Sequence, residues 1–199
     1  MNLNNQLQLV ESNVNNFKIS NVTVTDKMIL IESYIQCKMW FCFYEHFIVC
    51  SGDFGEWVFD CTWETVSDGK PKYSTDLHYL LSKLSRNNQR YLFDYQQWEI
   101  DVDEWFNEWK ETFSEDYYDN LTDEDKQCLN ELILDFKHDI EGEYRRAKHV
   151  DDFREEFTNL TNYDFDDDYD LYEAGNIYHP YLVTNLACLL KIKEYFSKE

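Results

Sequence analysis

Apolar and polar residues alternate along the first third of the chain, then recur at helical spacing through the remainder. Val22-Thr23-Val24-Thr25 alternates in β-branched residues and predicts a strand, which Asp26-Lys27 turns. From Met28 to Cys50 the chain is too rich in β-branched and aromatic residues for an exposed helix. Met28-Ile29-Leu30-Ile31 with Tyr34-Ile35 predicts one strand and Met39-Trp40-Phe41-Cys42-Phe43-Tyr44 a second, with a break near Gln36-Cys37-Lys38. Residues 47–50 and 56–63 then pair across Ser51-Gly52-Asp53-Phe54-Gly55, where glycine supplies the positive φ of a tight reversal. Trp57, Phe59, Cys61 and Trp63 fall on one face at period two, and Glu56, Val58, Asp60, Thr62 and Glu64 on the other. The pattern predicts an antiparallel sheet of about three to five strands with one face covered. Residues 1–20 leave two readings open, a short helix carrying Leu3, Leu7 and Val10 or an irregular arm.

Ser67-Asp68-Gly69-Lys70-Pro71 is the strongest breaker cluster and is expected to end the β region. Beyond it, Ser74 or Thr75 caps a helix whose stripe is Leu77, Leu80, Leu81 and Leu84. A second helix, over about 97–113, sets Trp98, Val102, Trp105, Phe106, Trp109 and Phe113 against an acidic face of Glu99, Asp101, Asp103, Glu104, Glu108 and Glu111. Thr122-Asp123-Glu124-Asp125 opens a third as an acidic capping box, with a stripe of Leu129, Leu132, Ile133, Phe136, Ile140 and Tyr144. A break is expected at 147–150, followed by a shorter helix through Phe153, Phe157 and Leu160, and then an acidic loop over 163–172. Pro180 suits the first turn of a last helix that turns Leu182, Leu186, Leu189 and Leu190 inward. The expected fold class is therefore α+β: an N-terminal antiparallel sheet region, 1–68, packed against a C-terminal acidic helical region, 69–199, as one compact unit.

Charge sharpens this division. The whole chain has 199 residues and a net charge of −22, yet 18% aromatic content argues against disorder. Between Asp94 and Glu173 there are 28 acidic against 7 basic residues, a net of −21, while all other residues carry 12 acids and 11 bases, a net of −1. Duplex DNA carries one charge per ~1.7 Å, so ~22 phosphates span the ~37 Å of a helix of ~25 residues. The helical region's charge is of that order. It disfavours direct nucleic-acid binding and calls for a basic partner.

Catalytic chemistry finds little support. Asp164, Asp166 and Asp168 match the first ligands of an EF-hand loop, but Tyr169 stands where glycine is needed and Gly175 where the bidentate glutamate is needed. Glu108-Trp109-Lys110 has the E-x-K spacing of metal-dependent nucleases but lies on a predicted helix in a field that repels nucleic acid. The five histidines are scattered and the six cysteines include no C-x-x-C pair, so neither zinc nor any other cofactor is expected, nor an enzyme. Cysteine usage and an N-terminus without basic or apolar signal regions predict a cytoplasmic location, and no stretch is apolar enough to span a bilayer.

Ser51-Gly52-Asp53-Phe54-Gly55-Glu56-Trp57-Val58-Phe59 resembles the hairpin of a family of uncharacterised bacteriophage proteins. Tyr79-Leu80-Leu81-Ser82-Lys83-Leu84 resembles that family's following helix. The stretch from Tyr178-His179-Pro180-Tyr181-Leu182 to Ala187-Cys188-Leu189 resembles its closing helix, although the tryptophan usual there is missing. The resemblance implies a phage or mobile-element origin, and acidic phage proteins resemble, as a class, inhibitors of anti-CRISPR and anti-restriction type. The expected function is a stoichiometric inhibitor that presents a DNA-mimic surface to a basic host defence nuclease. Its partner-binding residues would be Asp101, Asp103, Glu104, Glu108 and Glu111 on the second helix and Asp164, Asp166, Asp167, Asp168 and Asp170 in the loop. The alternative is a phage structural or assembly module that binds another chain through its aromatic sheet face.

Overall fold

The strand alternation of the first third builds a single sheet. In the computed structural model, which describes residues 3–35, 37–85, 88–138, 146–163, 165 and 170–198, β1 (Lys18–Val24), β2 (Met28–Tyr34), β3 (Lys38–Tyr44), β4 (Phe47–Gly52) and β5 (Trp57–Asp60) form a five-stranded antiparallel meander in chain order. Ile29, Ile31, Met39, Phe41, Phe43, Ile48, Cys50, Trp57 and Phe59 share its inner face and are buried. The fold is α+β, as the pattern predicts. Gly52 is fixed by geometry: its φ is +136°, and a Cβ there would lie 2.4 Å from the Lys38 carbonyl oxygen.

Contact density divides the chain into two compact units. The sheet unit comprises Met1–Leu92 and Tyr178–Glu199, and the helical unit Phe93–Ile177. The division thus falls after residue 92 and again before 178, not after 68, and the last helix belongs with the sheet.

That helix, here α7 (Pro180–Ser197), shows why. Leu182, Val183, Thr184, Asn185, Leu186, Ala187, Cys188 and Leu189 are all buried, so about two turns after the exposed Pro180 and Tyr181 are enclosed around their whole circumference. A helix buried on every side is a core helix. It shares one core with the sheet's inner face and with α1 (Leu3–Val14), the helical alternative for the N-terminal residues. Tyr73 donates its buried hydroxyl to the Leu189 carbonyl, and Asn185 Nδ2 donates to Phe54 O at 3.0 Å, tying α7 to the glycine hairpin.

The sheet's edges are managed differently. Along β5, Asp60 N–H donates to Lys83 O and Ser85 N–H to Val58 O, while Asn88 bonds the backbone of Glu56 and Val58. β1 carries a bulge between Ile19 and Asn21, a device that discourages strand addition. The breaker cluster does not simply end the β region. Asp68 and Gly69, with φ of 53° and 71°, turn a minimal hairpin between β6 (Val66–Ser67) and β7 (Lys70–Pro71). Asp76, rather than Ser74 or Thr75, caps α2 (Leu77–Ser82), accepting from the His78 and Tyr79 N–H groups. Aspartate's side-chain oxygen reaches N2 and N3 from the position immediately before the helix, which the two hydroxyl residues do not occupy.

In the helical unit, α3 (Tyr95–Thr112) begins at Asp94, whose side chain accepts the Gln97 N–H at 2.8 Å. A π-helical turn, Ser114–Tyr118, follows, then α4 (Asp123–His138). Thr122 and Asp125 close the acidic capping box in both directions, through Asp125 N–H to Thr122 Oγ1 and Thr122 N–H to Asp125 Oδ2. The break expected at 147–150 is absent. α5 (Arg146–Thr161) runs through it, because Val150 joins Phe153 and Phe157 on one buried stripe. Ile140 and Tyr144, predicted to extend the α4 stripe, lie outside the described residues.

Candidate functional site

The helical unit separates its two residue classes sharply. Trp98, Trp105, Phe106, Trp109, Phe136, Phe153 and Phe157 are buried in one core, where rings meet edge-on or stacked, as with Trp109 against Phe157 at 4.9 Å. The carboxylates lie outside it. All 28 acidic and 7 basic residues counted between Asp94 and Glu173 fall within Phe93–Ile177, so the charge boundary coincides with the boundary between units.

The acids of α3 fall into two groups. Asp101, Glu104, Glu108 and Glu111 recur at helical spacing along one stripe, with about 5 Å of axis per carboxylate against ~3.4 Å per phosphate along one DNA strand. Glu104, Glu108 and Glu111 are exposed, and no ion pair engages them among the described residues. Asp101, at the head of the stripe, is half-buried and has a different task. Its Oδ2 accepts the Gly175 N–H at 2.7 Å and its Oδ1 the Gln97 amide. Gly175 has a φ of +75°, and a Cβ there would meet the Phe93 ring at 2.6 Å, so Asp101 holds a turn that only glycine can make. On the other flank Asp103 pairs with Lys137 at 2.9 Å, and Glu99 lies 3.8 Å from His138. The predicted α3 set is therefore one exposed triad plus two residues committed to internal partners.

Of the loop residues, Asp164, Asp166, Asp167 and Asp168 lie outside the described residues. Asp170 opens the short helix α6 (Asp170–Glu173). That helix brings a carboxylate that sequence reasoning missed. Glu173 joins Asp101, Glu104 and Glu108, with Trp105 and Leu171, around a cleft of about 280 Å³. A cleft with an aromatic wall and a carboxylate rim suits a lysine or arginine side chain. Glu115, exposed on the π-helical turn, extends the acidic surface past the end of α3. Its spacing from Glu108 and Glu111 was readable, but the stripe was expected to end with the helix.

Several of the unit's cations contact carbonyls, hydroxyls or rings. Arg154 donates to the Phe165 carbonyl and the Tyr172 hydroxyl, and Arg146 to the Ala174 carbonyl and Asn176 Oδ1. Lys110, of the E-x-K tripeptide, lies over the Phe106 ring at 4.4 Å. Lys126 likewise sits over Tyr118.

Among the described residues, no group of His, Cys, Asp or Glu is arranged to hold a metal ion, and no helix is long and apolar enough to cross a membrane. A larger cavity, about 810 Å³, opens in the sheet unit between the strand-connecting turns at Asp26, Glu45 and His46 and the segment after Asp60. Its lining mixes Lys27, Thr62 and Trp63 with the carboxylates, and it is no part of the acidic face. Comparison with protein-family models, with curated proteins and with solved structures yields no match.

Proposed function

We propose that this protein is a stoichiometric inhibitor encoded by a phage or mobile element, which acts in the host cytoplasm by occupying the basic groove of a nucleic-acid-binding defence nuclease. One observation carries the reading: a net charge of −21 is confined to a single compact unit of a chain whose other unit carries −1. A charge used only for solubility has no reason to respect a structural boundary. Glu104, Glu108 and Glu111 stand in for successive phosphates, and the Glu173 cleft receives one basic side chain of the partner. Asp101 lines that cleft while holding the Gly175 turn, and Asp103, paired with Lys137, supports the surface without contacting the partner.

The test is affinity purification of a basic protein from a bacterial host lysate, washed at low and then high salt. Capture at low salt and release at high salt supports the proposal, because the screening length between exposed charges falls from about 8 Å at physiological ionic strength to about 3 Å at 1 M. Capture that resists high salt contradicts it. The assembly-module reading gains one observation of its own, the exposure of Tyr34, Trp40 and Tyr44 on the outer sheet face.

A further inference from the structure

The outer face of the sheet carries one largely apolar row across its width, flanked by rows that mix aromatic with polar and charged residues. Strand register places Thr23, Leu30, Cys42, Val49 and Val58 in one row across all five strands. On one side lies the row Asn21, Glu32, Trp40 and Ser51, and beyond it Lys18, Tyr34 and Lys38. On the other side lies the row Met28, Tyr44, Phe47 and Asp60. Tyr34, Trp40 and Tyr44 are 48%, 38% and 42% exposed, although large aromatics are the side chains most costly to leave in water.

The rim of this face is charged in a pattern that is complementary to itself. Lys18 and Lys38 begin β1 and β3 at one end. Asp26 and Glu45 follow the same two strands at the other end, and Asp60 closes β5 there; Lys27 and His46, the latter 3.7 Å from Asp60, share that end and leave it net acidic. Glu45 directly follows Tyr44, whose exposed ring lies on this face, and its carboxylate holds that phenol above its ordinary value.

We infer that this face binds a second copy of the chain in an isologous, face-to-face dimer. A two-fold axis lying across the strands, between the Trp40 row and the Cys42 row, sets the start of each strand over its own end in the other copy. Lys38 then faces Glu45 and Lys18 faces Asp26, while Trp40 of each copy covers the Leu30, Cys42 and Val49 stripe of the other. The sheets would pack aligned, within about 30°. A basic partner would gain nothing from Lys18 and Lys38, and an acidic one nothing from Asp26 and Glu45, whereas a second copy pairs all four. The sheet unit's own net charge of −1 does not oppose this. Five strands about 4.8 Å apart, three of seven residues, one of six and one of four, offer about 490 Å² per copy at about 3.3 Å per residue. The total of about 1,000 Å² is at the low end for a specific interface, so weak association, in the micromolar range or above, is expected.

Sedimentation equilibrium of the full-length chain over a range of concentrations tests this. The expected result is a shift from 24.2 kDa toward twice that mass with rising concentration. Val49→Lys should hold the chain at monomer mass with an unchanged melting curve; if V49K fails to fold, Trp40→Ser at the exposed aromatic replaces it. Lys38→Glu and Glu45→Lys should each weaken association about tenfold, and the double variant K38E/E45K should restore it. Monomer mass throughout overturns the inference, as does association indifferent to V49K and W40S, or a double variant no tighter than the singles. A heterologous protein captured in a V49K-sensitive way by a chain that stays monomeric also overturns it, assigning the face to a different occupant.

Discussion

The sheet unit and the helical unit are both built around aromatic cores, yet they treat charge in opposite ways. The sheet unit balances 12 acids with 11 bases; the helical unit sets 28 acids against 7 bases and still closes a core of three tryptophans. The two units differ in net charge, not in the kind of core that each closes. A surface of like charges destabilises its own unit, and the helical unit offsets that cost with ring packing and with arginines that bind backbone carbonyls. Charge maintained against a folding cost points to a use outside the fold.

The strongest way to break the comparison is through the two glycines, one in each unit, that admit no Cβ. Gly52→Ala in the sheet unit and Gly175→Ala in the helical unit should each destabilise by about 3 kcal/mol or more, since each adds a steric overlap to a backbone conformation costing about 1–3 kcal/mol. Denaturant titration with hydrogen exchange would show protection lost first in the unit that carries the change. Equal loss in both units would deny that they are separate compact bodies.

Asp101 sharpens the contrast within the acidic surface. Asp101→Ala strands the Gly175 N–H and should cost about 1–3 kcal/mol, whereas Glu104→Ala, three residues along the same stripe, should stay within about 0.5 kcal/mol. Thermal melts of the two variants decide whether the surface divides into supporting and presenting carboxylates. Thr122→Ala, which opens the acidic capping box of α4, should cost about 1 kcal/mol by the same measurement.

A smaller effect separates the units by pH. His179 Nδ1 accepts the Tyr181 N–H at the start of α7, and burial lowers the pKa of this histidine below its ordinary value of 6.5. The unfolded chain therefore binds the proton more readily. The stability contribution is complete above pH 6.5 and is lost as pH falls through that value toward the folded pKa. His179→Asn keeps a capping oxygen without the titration. The stability difference, wild type minus H179N, should decline between pH 7.5 and 5.5; a constant difference would show that the cap is indifferent to protonation.

How much of this was legible in the sequence follows from the range of each interaction. Strands β2 to β5 were readable because alternation is local, and the capping box of α4 because Thr122 and Asp125 are three residues apart. The placement of α7 was not, since its helical stripe of leucines hid the burial of Thr184 and Asn185 on its remaining sides, which only the sheet and α1 supply. The expected break at 147–150 overweighted the polar residues around Val150 and missed its place in the stripe with Phe153 and Phe157. The candidate site was half legible. The acidic stripe of α3 follows from spacing alone, but the use of Asp101 by Gly175 depends on a contact 74 residues away. Glu173 entered the site only because α6 sets it beside α3.

The central claim is that the carboxylates of the helical unit recognise a basic partner. Its most direct test is to reverse Glu104, Glu108 and Glu111 to lysine together and to compare binding of the captured partner with that of a control reversing Asp53, Glu56 and Glu64 in the sheet unit, across a fourfold range of salt. The account predicts loss of binding for the first set, near wild-type binding for the second, and affinity for wild type that falls about tenfold or more as salt rises. Equal binding by both triple variants, with no dependence on salt, would contradict it.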